Sequence, residues 1–289
     1  MSICNMCPRR CGVERSVRTG VCGASERFLV SRVSLHAFEE PCLSGKNGSG
    51  TVFFGGCNLH CVFCQNRVIS GGGVGEGMDE GSLERRIFSL VEQGAHNINL
   101  VTPTHYTLPL ARLLERIKPR LSVPVVWNSS GYESVEALRA LDGLVDVYLP
   151  DFKYASRELA ARYSHALDYP DVALAAIKEM HRQRGTVRFD GQGMMQSGVM
   201  VRHLVLPTGR RDSMAALTLL SEHLPVADVR LSLMSQFTPD FVDAEAYPEL
   251  ARRVTSFEYD SVVRHALSLG FEGYLQSRAS ATRAYTPDF

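Results

Sequence analysis

Apolar positions along the chain recur with two different periods. Short β-branched or aromatic runs occur at Thr51–Phe54, Ile98–Val101, Val123–Trp127, Val145–Leu149, Val201–Leu206 and Val229–Met234. Between them, apolar residues fall at helical spacing. Leu83, Ile87, Leu90 and Val91 lie at i, i+4, i+7 and i+8, and Gly94 follows as a stop. The pattern returns at Leu110, Leu113, Leu114 and Ile117, at Val135, Leu138 and Leu141, and at Val172, Ala176, Ile177 and Met180. It appears again at Met214, Leu217 and Leu220, and at Val262, Val263, Ala266 and Leu267. Strands alternating with helices predict a parallel sheet with right-handed crossovers. Six such units are too few for a closed eight-stranded barrel. The expected fold is therefore α/β, a partial, open (β/α)6 TIM-like barrel with its chemistry at the C-terminal ends of the strands.

The first fifty residues break this rhythm. Residues 1–24 are rich in Cys, Arg and Gly and carry no apolar period. Residues 25–50 alternate through FLVSRVSLH and run into a Gly/Asn cluster, Lys46-Asn-Gly-Ser-Gly50, which predicts one arm of a hairpin and its turn. The expected organisation is a Cys-rich metal-binding extension and hairpin over 1–50, and the barrel over 51–289.

Charge adds an exclusion. Lys and Arg number 31 against 31 Asp and Glu, so the formal net charge is zero, giving no reason to expect nucleic acid or an anionic membrane as the partner. The opening residues lack an apolar signal core, and no stretch approaches the ~20 apolar residues of a membrane span. A cytoplasmic protein is the expectation.

One composition figure stands out. All 8 cysteines lie in the first 64 residues, at positions 4, 7, 11, 22, 42, 57, 61 and 64. A long chain without a secretory signal uses clustered cysteines for metal more often than for disulfides. By spacing they form a set of four, a set of three and one spare. Cys57, Cys61 and Cys64 follow the first regular strand as C-x3-C-x2-C, with Gly55 and Gly56 permitting the close turn that starts the loop. Three thiolates on one loop can each hold one iron of a cubane cluster, leaving the fourth iron open to a small chelating molecule. A zinc site completed by His60 or Cys42 is the competing reading.

At these residues the chain resembles a known family. C-x3-C-x2-C with an aromatic before the last cysteine, here Phe63, is the signature of the radical S-adenosylmethionine (SAM) superfamily. The wider string FFGGCNLHCVFCQN is similar to that of pyruvate formate-lyase activating enzymes. The resemblance implies a 4Fe–4S cluster on Cys57, Cys61 and Cys64 that binds SAM and cleaves it reductively, giving a 5′-deoxyadenosyl radical for hydrogen abstraction. It implies a low-potential donor, flavodoxin or ferredoxin, and a glycyl-radical enzyme as one candidate substrate. A small metabolite or RNA is the alternative, and a non-enzymatic zinc-binding scaffold is the alternative of another class.

The resemblance also marks later strand ends. Asp151 and Lys153 lie two apart, on one face of a strand. They look like the family's D-x-K, where the lysine contacts the SAM carboxylate and the aspartate helps hold a cation. A rim salt bridge is the plainer reading. Trp127-Asn128-Ser129-Ser130-Gly131 resembles the family's D-T-N-G turn with Asn128 in place of the aspartate, which puts a cation there in doubt. Arg202 matches the arginine that the family carries near SAM, while His203 faces the other way as a structural residue. Gln236 and Phe237 stand where the family has a histidine near the adenosyl group. The family's G-G-E is absent. Asn99-Leu-Val-Thr102-Pro-Thr104-His105 replaces it, so Thr102 and Thr104 become the candidate acceptors for the SAM amino group, with His105 near the substrate space. Read bare, the same stretch is a strand end with Thr107 capping the next helix.

Cys4-x2-Cys7-x3-Cys11-x10-Cys22 is a complete four-thiolate set, suited equally to zinc or an auxiliary iron–sulfur cluster. Cys42 is left over, and reads as a small buried hydrophobe.

Overall fold

The computed structural model describes residues 3–281. All six expected β/α strands are present. In chain order the strands are β1 (Phe28–His36), β2 (Ser49–Phe54), β3 (Glu76–Met78), β4 (Ile98–Val101), β5 (Val125–Ser129), β6 (Val147–Pro150), β7 (Arg188–Phe189), β8 (Met195–Leu204), β9 (Arg230–Met234) and β10 (Gly273–Leu275). They pair in the order β10-β9-β8-β6-β5-β4-β2-β1-β3, with β7 on β8. From β2 to β10 every neighbour is parallel. The antiparallel β1 and β3 extend the β2 edge, and the barrel stays unclosed.

Two departures from the expected strands have simple causes. Strand β8 begins at Met195 rather than Val201. Gln196, Ser197 and Gly198 interrupt the apolar run there, so its first half does not read as a strand. A seventh parallel strand, β10, has only three residues and no apolar period. Its Gly273, at φ +152°, lets the backbone approach β9 where a Cβ would sit 1.9 Å from the Leu231 carbonyl oxygen.

The helices cover the outside of the sheet. Those at Glu80–Glu92, Thr107–Ile117, Tyr169–Arg184, Arg210–His223 and Ser256–Ser268 bury most of the expected stripes, with Leu83, Ile87, Leu110, Leu114, Ile177 and Leu217 fully inside, whereas Leu267 of the last helix faces outward and is exposed. The helix at Arg157–Ser164 was not expected, because its exposed Arg and Glu leave little apolar period.

The interior of the barrel is filled from an unexpected direction. The connection between β1 and β2 is more than a turn: it carries the short helix Pro41–Ser44, started by a proline at its first turn. Cys42 and Leu43 of that helix pack with Val126, Val147, Leu149, Met195 and Met200, the inward residues of β5, β6 and β8. The Asn97 amide donates to the Leu43 carbonyl at 2.8 Å, and the Ser49 hydroxyl donates to Asn97 Oδ1 at 2.6 Å. The N-terminal end of the barrel is thereby plugged, and the space left inside opens at the C-terminal strand ends.

Candidate active site

The loop after β2 is shaped by its contacts with residues 20–22. Gly56 takes φ +88°, and a Cβ there would lie 2.3 Å from the Cys22 carbonyl oxygen, so only glycine fits. The next amide, that of Cys57, donates to this oxygen at 3.0 Å. His60 donates through Nε2 to the Val21 carbonyl at 2.8 Å. Asn58, buried, donates to the Tyr132 carbonyl at 2.9 Å. The Cys64 amide donates to the Cys61 carbonyl at 3.0 Å, and the Ser164 hydroxyl to Cys61 Sγ at 2.9 Å. Phe63 is buried edge-on to Phe237, ring centroids 6.3 Å apart.

Burial raises the Cys61 thiol, against the pull of Lys153. For Cys64, burial and then the neighbouring Cys61 and Cys57 push the value up to about 12. Thiolates are stable there only against a positive centre, which is what a soft-ligand metal site supplies. Among the described residues, no three His, Cys, Asp or Glu side chains converge to hold a single metal ion. A cubane does not ask for that, since each thiolate ligates a separate iron. Three soft thiolates on one loop are a donor set that suits an iron–sulfur cluster.

Opposite this loop stand the polar strand ends. Lys153 Nζ donates to Asp151 Oδ2 at 2.5 Å, and Arg202 Nε donates to Asp151 Oδ1 at 2.9 Å. Arg202 Nη2 also donates to Asn128 Oδ1 at 2.6 Å. Burial disfavours every charge in this group, but for Asp151 the attraction of Arg202 and Lys153 wins and its pKa falls below the usual carboxylate range. Lys153 moves up for the reciprocal reason, Asp151 and then Cys61 outweighing its burial. An ion network held this tightly is no rim salt bridge. A cavity of about 420 Å³ lies between loop and network, within the range of small-molecule sites. Cys61, Phe63, Cys64, Asn128, Asp151, Lys153, Arg202 and Gln236 all line it.

Several expected positions point elsewhere. The Thr104 hydroxyl donates to buried Glu133 at 2.8 Å, a carboxylate shared with the Trp127 indole N–H at 3.1 Å. Thr102, at φ +57°, donates its amide to the Asn128 carbonyl and is absent from the cavity wall. Ser129 Oγ accepts from the Gly131 amide at 3.2 Å, within the turn. Thr107 does not cap its helix but donates to the Thr104 carbonyl. His105 is fully buried behind the cysteine loop, donating to the Gly55 carbonyl at 2.9 Å. Burial, then Arg15, lower its pKa to about 3. His203 donates to the Phe152 carbonyl at 2.6 Å, a structural role as expected. Cys42 lies buried in the plug, near the Tyr274 hydroxyl.

Two acidic residues of the cavity wall were missed from sequence. Glu39 and Glu40 precede the plug helix and reach the cavity wall. Glu39 Oε2 lies 3.6 Å from Arg202 Nη1, and its Oε1 accepts from Asn128 Nδ2 at 3.4 Å. Burial raises its pKa to about 7, against the pull of Arg202. Paired acids before a proline were the only signal, and nothing local said that this segment folds under the barrel.

The four N-terminal cysteines pack beside the loop. Cys4, Cys7 and Cys22 are buried and Cys11 is half-buried. A Cβ on Gly20 would meet Cys11 Sγ at 3.3 Å and Cys22 Sγ at 3.4 Å, so those sulfurs flank one point. Two arginines bolt the segment down. Arg9 donates to the carbonyls of Asn58 and His165 at 2.7 and 2.5 Å, and Arg15 to His105 at 2.5 Å and to Cys22 Sγ at 3.3 Å.

An unclosed parallel barrel with three cysteines at its first strand end, facing a buried Lys–Asp–Arg network, defines a class of cofactor-dependent radical enzymes. The chain belongs to the radical SAM superfamily, whose family model matches residues 51–195. It therefore carries that family's 4Fe–4S and SAM requirement. It is 32% identical over 272 residues to the uncharacterized protein MJ0674 of Methanocaldococcus jannaschii, covering 91% of this chain and 74% of the relative. Its fold is similar to a radical SAM methyltransferase from Sphaerobacter thermophilus (TM-score 0.53, 12% identity, covering 79% of this chain and 66% of that one). It is also similar to a spore photoproduct lyase (TM-score 0.53, 13% identity, 81% and 78%) and to Streptococcus suis SuiB (TM-score 0.53, 10% identity, 76% and 46%). The chain thus spans less than two thirds of the methyltransferase and of SuiB. No helix among the described residues is long and apolar enough to cross a membrane.

Proposed function

We propose that the protein cleaves SAM reductively at Cys57, Cys61 and Cys64 and abstracts hydrogen from a substrate held in the barrel mouth. The observation that carries this reading is that Cys61 and Cys64 share one cavity with the Lys153–Asp151–Arg202 network. Cys57, Cys61 and Cys64 would hold the 4Fe–4S cluster, which, once reduced by the external donor and with SAM bound, would supply one-electron cleavage chemistry. The protein's part is placement. Lys153 and Arg202 offer positive charge to a carboxylate, and Asp151 holds both cations in position. Ser164 steadies Cys61, and Phe63 against Phe237 closes the loop side to water. No side chain is needed as a general base.

Cys4, Cys7, Cys11 and Cys22 form the candidate second metal site, whose soft thiolates suit zinc and an iron–sulfur cluster alike. The electron donor is a flavodoxin or ferredoxin. The role of glycyl-radical activase rests on the cysteine-loop resemblance, whereas a small-molecule substrate is favoured by the carboxylates that the β1–β2 connection brings into the cavity. The test is anaerobic reconstitution, metal analysis and assay of 5′-deoxyadenosine. Iron with SAM-dependent 5′-deoxyadenosine is the expected result. Bound zinc, no iron and no cleavage would end the reading, and a glycyl radical on a partner would select the activase role.

A further inference from the structure

The cavity contains charges that its own ion pairs do not absorb. Three carboxylates, Glu39, Glu40 and Asp151, face two cations, Lys153 and Arg202. Asp151 takes both cations and Glu39 shares Arg202. Glu40 is left over. It lies in the field of Arg202, yet among the described residues no Lys, Arg or His nitrogen comes within the 4.0 Å of an ion pair, and its Oε2 is buried with no hydrogen-bond partner. Such an oxygen costs free energy unless something donates to it.

A second, independent group points the same way. Asn99 on β4 is fully buried, and both its amide oxygen and its amide nitrogen lack a partner. It sits two residues before Val101, which lines the cavity, so strand alternation aims Asn99 at the same interior. It is near enough to Glu39 to bias that carboxylate towards its charged form without completing a hydrogen bond. A half-buried carboxylate with one buried, unpartnered oxygen and a fully buried, unpartnered amide both neighbour Glu39, and together they ask for a positively charged group with several N–H donors.

Resting on the radical SAM reading above, we propose that Glu40 and Asn99, with Glu39, bind a primary ammonium group of the substrate, so that the enzyme acts on an aliphatic amine. Glu40 supplies the charge, Asn99 Oδ1 accepts a further N–H, and Glu39 is the specificity residue tied to Arg202. Glu39 and Glu40 lie outside the matched family segment, on the β1–β2 connection.

The test is calorimetric titration of the anaerobically reconstituted protein with putrescine, 1,4-butanediol and succinate, and separately with SAM. Putrescine is expected to bind and the neutral and anionic counterparts are not. Glu40→Gln should weaken putrescine by about tenfold or more, the scale of a charged hydrogen bond, and leave SAM affinity within about twofold. Glu40→Asp, which keeps the charge, should restore part of the loss, and SAM binding reports that each variant is folded. If all three probes bind alike, or putrescine does not bind while SAM does, the amine subsite is wrong and the radical SAM reading stands. If Glu40→Gln weakens SAM instead, Glu40 serves the cofactor's own ammonium and the substrate assignment falls. Failure of wild type to bind SAM would remove both readings together.

Discussion

The Cys57 amide donates a 3.0 Å hydrogen bond to the Cys22 carbonyl, so the last residue of the four-cysteine set is joined to the first residue of the three-cysteine set by a single backbone contact. Gly56 makes this contact possible. Gly56→Ala would drive a Cβ into the Cys22 oxygen and force a positive φ on a residue that resists it. The expected cost is about 1–3 kcal/mol of stability, read as a lowered midpoint in urea, with poorer iron incorporation on reconstitution. Unchanged unfolding would mean that the loop relaxes freely.

Cys61→Ala should abolish 5′-deoxyadenosine formation and remove the iron of its own loop, leaving whatever metal the N-terminal set holds. Cys7→Ala should do the converse, losing that metal while the loop still binds iron. Metal analysis of the two variants checks the independence of the sets. If either variant loses all metal, the two are one site.

Lys153→Ala leaves Asp151 and Arg202 paired but removes one of the two cations facing the cavity. SAM binding should weaken by about ten- to a hundredfold, the range of a charge-assisted hydrogen bond, with the cluster absorbance unchanged. Equal SAM affinity in calorimetry would return Lys153 to a purely structural ion pair.

Glu39 yields a pH signature with a definite sign. Its folded pKa is raised from 4.5 to about 7, so across that interval the folded state binds more protons than the unfolded one. Stability from this group is therefore highest below pH 4.5 and declines as pH rises towards 7. His105 and His203, whose folded values are lowered to about 3 and 4 by burial, act in the opposite direction as pH rises to 6.5. The difference between Glu39→Gln and wild type isolates the glutamate. The variant's relative stability should grow from pH 4.5 to 7, measured by urea unfolding, and a flat difference would show that Glu39 ionises normally.

Leu43→Ala empties part of the barrel plug. Leu43 is fully buried, and truncating such a residue costs about 2–5 kcal/mol. A loss under 1 kcal/mol in chemical unfolding would mean that the plug is not part of the core.

The repeating β/α pattern was legible because each strand and helix carries its period locally. Cys57, Cys61 and Cys64 were legible from their spacing, whereas Asp151, Lys153 and Arg202 were marked only by the family resemblance, and the structure brings them to one cavity with Cys61 and Cys64. What stayed hidden depended on packing between distant segments. Thr104 was assigned to a ligand because the sequence did not show that Glu133 would reach its hydroxyl. Glu39 and Glu40 passed unnoticed because the four-residue plug helix Pro41–Ser44 is too short to show a period, and the Gly- and Asn-rich residues after it read as a plain hairpin turn. Strand β10 escaped because three residues are too few to show alternation.

The plug makes the barrel a blind well. With Cys42 and Leu43 stoppering the axial end, a molecule seated against Glu40 can neither enter nor depart from below. Traffic into the well is thereby turned towards the C-terminal strand ends, on the side of the cysteine loop.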